Sequence, residues 1–185
     1  MSLCRRLIQQ PMAVLAMGVL MSFLVSAVTY PDDISAFPHV ESFERVPHSW
    51  GPAPGYYSWE LMSGPSEWGS TGPSRAEKGT FYMCTGLYPS HTYALQASFD
   101  FSRAPAPRLS FFHHVGNSAV DRLHVDVCSD GMWRNSLWVN TGQQHSGRSD
   151  SWTKASLPLQ ECAGKTGVVL RFRGVRGYTY ASGMA

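Results

Sequence analysis

Leu109-Ser-Phe-Phe-His-His-Val115, then the turn Gly116-Asn117-Ser118, then Leu123-His-Val-Asp-Val-Cys128 is the stretch that decides the fold. Leu109, Phe111, His113 and Val115 recur every second residue, as do Leu123, Val125 and Val127. Side chains on a strand alternate between faces, so each run presents one apolar face and one polar face, here His124, Asp126 and Cys128. Ser129-Asp130-Gly131 is a second turn, followed by a short strand from Ser136 to Val139. Outward from this centre, Tyr93 to Phe101 alternates over part of its length, and Trp152–Leu159 and Val168–Val175 read as further strands. No stretch shows a 3.6-residue apolar period. Short strands between Gly, Asp and Asn turns predict an all-β, antiparallel sandwich.

The flanks read differently. Residues 31–78 carry Pro31, Pro38, Pro47, Pro52, Pro54, Pro65 and Pro73. This spacing excludes long helices and central strands, and predicts loops with short edge strands. Trp50, Trp59 and Trp68 are too large and apolar to stand free in water, so the loops should be packed. At the other end of the polarity scale, Met12 to Tyr30 is uncharged and largely apolar, and it follows Arg5 and Arg6. Val25-Ser26-Ala27 offers the small residues of a signal-peptidase site. A signal peptide over residues 1–27 is the expectation, with an uncleaved signal anchor as the alternative. The positive-inside rule sends residues 28–185 outward in both cases, so the domain is expected to be secreted or to face the outside of the plasma membrane.

Removing residues 1–27 takes away two arginines and no acid, leaving 13 basic against 13 acidic residues. A net charge near zero gives no electrostatic reason to expect nucleic acid as a partner, and membrane contact is expected only through an uncleaved N-terminal segment. Cys4 lies in that segment; Cys84, Cys128 and Cys162 remain. An oxidising compartment favours one disulfide among three available pairings. Cys128 with Cys162 is the candidate pair, preferred over a reactive Cys128 thiolate beside His124 and Asp126.

Adjacent His113 and His114 point to opposite faces of a strand and cannot share one metal ion, so both are expected to be structural. Calcium would want clustered carboxylates, whereas Asp121, Asp126 and Asp130 are strung along one hairpin. No hydrolase or zinc-peptidase signature occurs, and Ser118 reads as a turn residue. No cofactor, metal or catalytic residue is therefore expected. Trp133, Trp138 and Trp152, with Tyr178 and Tyr180, are candidate ligand-contact aromatics for a sugar platform, against the plainer reading of core filler. Arg171, Arg173 and Arg176 read as a solvated strand face.

Order and spacing of several short motifs add a resemblance. Phe43-Glu44, then Trp68 with Gly72-Pro73-Ser74, Leu95 to Ser98, Leu109-Ser-Phe-Phe-His-His114 and Leu123-His-Val125 follow one another. Leu137-Trp138, Gly142-Gln143, Trp152 and Val168 to Gly174 come next. This succession resembles the MAM domain, the extracellular jelly-roll module of meprins, neuropilins and receptor tyrosine phosphatases. The chain departs from the family at its missing early cysteine pair and at Arg75-Ala76-Glu77, which replaces a polar turn. By the resemblance, a closing strand with an Asp-Asp pair is expected after Ala185. The resemblance implies a non-catalytic adhesion or recognition module that contacts an extracellular protein, often a like module. A carbohydrate-binding jelly roll with a glycan partner, or an accessory domain of a secreted metallopeptidase, are the alternatives.

Overall fold

The computed structural model describes residues 33–66, 72–86, 88–116, 121–141, 143–178 and 184–185. The signal segment, Trp68, Ser118 and Tyr180 lie outside them. The described residues form nine strands: β1 (Gly51–Pro52), β2 (Trp59–Ser63), β3 (Phe81–Thr85), β4 (Thr92–Phe99), β5 (Arg108–His113), β6 (Arg122–Ser129), β7 (Met132–Thr141), β8 (Thr153–Pro158) and β9 (Val168–Val175). A single 3-10 turn, Gln160–Cys162, is the only helical element among them. The architecture is the expected antiparallel jelly-roll sandwich.

One layer is a five-stranded sheet in the order β1-β4-β9-β6-β7. The other is built from two hairpin-like pairs, β2-β3 and β5-β8. The last two described residues lie between these pairs. Thr85 N–H donates to Met184 O at 2.9 Å, while His114 and Ala185 exchange both backbone bonds at 2.7 and 3.0 Å. Met184 and Ala185 thus bridge β3 to the end of β5.

Alternation explains the core. Leu123, Val125 and Val127 of β6 face inward with Val168 and Leu170 of β9 and with Tyr93, Leu95, Ala97 and Phe99 of β4. Trp50 and Trp59 from the proline-rich segment pack into the same cluster. Burying such side chains stabilises by about 1.5–3 kcal/mol each, which holds the proline-rich segment and its short strands onto the sandwich. Gly174 marks a close approach of the layers: a methyl group there would lie 2.7 Å from Thr85 Cγ2 and 3.1 Å from Met184 Cε.

Two expectations are corrected here. Cys128 and Cys162 do not pair. Cys128 lies on the face of β6 that carries His124 and Asp126, opposite Trp133, whereas Cys162 is a free thiol packed in the inner cluster. The sheet itself separates them. Strand β7 is also longer than the Ser136–Val139 segment expected, running from Met132 to Thr141.

Candidate functional site

The outer face of the five-stranded sheet holds a closed polar cluster. Asp126 is fully buried, and its Oδ2 accepts from Arg171 Nε at 3.0 Å and Arg173 Nε at 2.8 Å. Its Oδ1 accepts from Arg173 Nη2 at 3.0 Å and from the Ser136 N–H at 2.7 Å. Burial by itself would raise the Asp126 carboxyl, but the bonds from Arg173 and Ser136 and the two guanidinium charges outweigh it and hold it below the usual carboxylate range. The Arg171 guanidinium lies 3.8 Å from the Trp133 ring and 4.9 Å from that of Tyr56. These arginines are not a solvated face. Arg171 and Arg176 are both buried, the latter donating to Gly86 O.

The histidines form a second buried group, under the β5 end of the opposite layer. His114 stacks on His145 with ring centroids 4.0 Å apart. His145 Nδ1 accepts the Val115 N–H at 3.1 Å, so its Nε2 carries the proton and faces Ser151 O at 3.0 Å. His113 lies edge-on to Trp138 at 5.2 Å, with its Nδ1 3.4 Å from Asn140 Nδ2. Burial, with His145 adding positive charge nearby, pushes His113 and His114 each down to about 4. Both are neutral, structural rings at neutral pH.

The three candidate tryptophans share no surface. Trp133 covers Arg171 on the outer face; Trp138 turns the other way, edge-on to Phe111 at 5.1 Å. Trp152 packs between Tyr82 and His114, and its Nε1–H donates to Arg75 O at 3.1 Å. A common platform is not formed. What Trp138 does border is a shallow hollow of about 420 Å³ between β7 and β8, shared with Asn140, Gln144, Lys154 and Ser156.

Exposed aromatics gather instead at one end of the sandwich, at residues that carry no sequence motif. Tyr57 sits edge-on to His91, with centroids 4.4 Å apart, and Tyr88 lies 5.7 Å from the same imidazole. Buried Tyr93 fixes the loop beneath: its hydroxyl accepts the Tyr88 N–H at 2.9 Å and donates to Tyr88 O at 3.2 Å. The Ser90 N–H donates to Gly177 O, and Gly177 N–H to Asp121 Oδ1 at 2.7 Å, which anchors the loop that carries Tyr178. Tyr57, Tyr88 and Tyr178 are 50%, 60% and 84% exposed. Of these, only Tyr178 is a candidate on sequence grounds. The signal for the others, aromatic residues flanking Pro and Gly turns, is too common to be diagnostic.

A third surface is an apolar groove of about 1100 Å³ between β3 and β5, running from Ala185 past Met83, Phe81, Phe111 and Leu109.

No family model matches the chain, and no curated protein does. Among solved structures, it is similar to TmCBM61 in complex with β-1,4-galactotriose, at 15% identity and a TM-score of 0.49, over 73% of this chain and 81% of that one.

Proposed function

We propose that this domain is a non-catalytic, outward-facing recognition module of MAM type that binds a protein partner through Tyr57, Tyr88, Tyr178 and His91. The observation that supports it is the preorganised aromatic end. Three tyrosines at least half exposed stand on loops tied down by buried Tyr93 and Asp121. Tyrosine offers large contact area with few rotors, so it is enriched where proteins meet, and a fixed loop loses little entropy on binding. The resemblance makes a second copy of the module the first partner to test. Sedimentation of the purified domain across a wide concentration range should show self-association that the Tyr57→Ser/Tyr88→Ser/Tyr178→Ser variant loses without change in melting temperature. A wild-type domain that stays monomeric and fails to bind cells, or a variant that associates equally well, refutes it.

A second reading is glycan binding in the hollow beside Trp138. The Trp138 indole beside Asn140, Gln144 and Lys154 brings an aromatic ring together with hydrogen-bonding groups, as sugars require. Quenching of tryptophan fluorescence by an oligosaccharide panel, abolished in Trp138→Leu but not in Trp133→Leu, supports it. Silence across the panel counts against it.

A further inference from the structure

We propose that the hollow between β7 and β8 receives an acidic sugar, one that carries a carboxylate or a sulfate group; this rests on the glycan reading of the same hollow. β7 ends the five-stranded sheet and β8 ends the β5-β8 pair, so the hollow is bordered by edge strands of the two layers. Its volume of about 420 Å³ falls within the roughly 300–1,000 Å³ of small-ligand sites. Trp138 supplies an aromatic ring for the apolar face of a sugar.

Buried groups beneath the hollow set the direction of its hydrogen bonds. The Val115 N–H fixes the tautomer of His145, so His145 Nε2 is a donor. Thr153 Oγ1 lies 3.2 Å from that nitrogen and accepts from it, which frees the Thr153 hydroxyl hydrogen to donate elsewhere. His113 stands opposite Thr153 in the β5-β8 pair. Its Nδ1 accepts from Asn140 Nδ2 at 3.4 Å, which leaves the ring proton on Nε2. Gln144 spends one amide N–H on Thr141 O at 3.3 Å and keeps the other. Thr153, His113 and Gln144 all line the hollow, and each retains a donor. A carboxylate or sulfate oxygen accepts only, and is the natural complement of such a set.

The charges point the same way. Among the described residues that line the hollow none is acidic, and Lys154 brings a positive charge. Its ammonium makes no ion pair among the described residues and lies 5.7 Å from the centroid of the Phe112 ring. Arg134, Lys165, Arg171 and Arg173, by contrast, each meet a carboxylate. Arg108 Nη1 donates to Ser156 Oγ at 3.3 Å, which sets a second cation beside the same rim. Hydrogen bonds between an ionised donor and an ionised acceptor are roughly twice as strong as neutral ones, so an anionic substituent gains most here.

The test uses the purified chain and two matched pairs of oligosaccharides: oligogalacturonate with its full methyl ester, and sulfated dextran with unmodified dextran. Isothermal titration at low salt should show the charged member of at least one pair binding about tenfold more tightly than its uncharged partner. A preference in the first pair alone identifies a carboxylate, and in the second alone a sulfate; both results support the proposal. Lys154→Met, which keeps an apolar side chain against Phe112, should lose the preference without change in melting temperature. Thr153→Val should weaken binding several-fold, and Lys78→Met, outside the hollow, should change nothing. If the uncharged members bind as tightly as the charged ones, the glycan reading stands and this inference falls. If no oligosaccharide binds, both fall. A preference that survives Lys154→Met, or that Lys78→Met removes equally, is a general charge effect and also overturns the proposal.

Discussion

Acidification should loosen this domain well before its carboxylates titrate. His113 and His114 are 2% and 0% exposed, and both are pushed from 6.5 down to about 4, first by burial and then by charge on His145. Their other neighbours oppose this only weakly: Trp138, Asn140 and Trp152 are uncharged, and Asp150 and the Gly147 backbone favour the charged form of His114 without overcoming burial. The sign follows from linkage. The unfolded chain binds protons near 6.5 and the folded chain does not, so stability is full above that value and falls as pH drops toward 4. Between pH 7 and pH 5 each ring contributes a loss of about 1–2 kcal/mol, and the pair about 2–4 kcal/mol, a large part of a typical margin of about 5–15 kcal/mol. Asp126, held below the usual carboxylate range, stays ionised across this interval and does not add to the effect. Urea unfolding followed by tryptophan fluorescence at pH 7, 6 and 5 measures the slope. The His113→Phe and His114→Phe variants should each flatten it by about half, whatever they do to stability at pH 7. A flat wild-type profile, or a double variant that keeps the wild-type slope, refutes the reasoning.

Other outcomes follow from single contacts. Asp126→Asn removes the charge that the buried Arg171 and the partly buried Arg173 guanidinium groups face, and should cost about 3–5 kcal/mol in urea unfolding. A loss below 1 kcal/mol would show that solvent reaches the arginines. Gly174→Ala drives a methyl group against Thr85 and Met184, and should destabilise by about 1–3 kcal/mol, whereas Gly164→Ser meets no neighbouring atom and is limited by its backbone angle alone. Cys84 is fully buried with its thiol pushed up to about 12, chiefly by desolvation. It should resist a maleimide until denaturant is added, with intact-mass spectrometry as the readout.

The strands legible in the sequence are those with one apolar and one polar face. β6 and β9 alternate cleanly because Leu123, Val125, Val127, Val168 and Leu170 enter the core while their neighbours do not. β3 was hidden because both of its faces are covered, Met83 toward the main core and Tyr82 and Cys84 under Ala76 and Trp152. The full length of β7 is not visible in its pattern because its register slips opposite Val125 and Val127, with Ser136 at φ 58°, which breaks the period in its middle.

Parity also bears on the sites. Trp133 and Trp138 are an odd number of residues apart, so a continuous strand places them on opposite faces, and a shared platform conflicts with strand geometry alone. The arginines needed more. Arg171 and Arg173 do alternate outward as their pattern requires, yet outward was not wet. Trp133 and Tyr56, from elements far away in sequence, cover Arg171, while Asp126 gathers both guanidinium groups. Periodicity assigns a side chain to a face; only the pairing of distant segments decides whether water reaches it. The same limit hid the tyrosine end. Tyr57, Tyr88 and Tyr178 belong to three separate loops, and their association depends on Tyr93 and Asp121 bonding backbone that no local pattern identifies. A binding surface made from loop tips is for that reason the part of a sandwich least written in its strands.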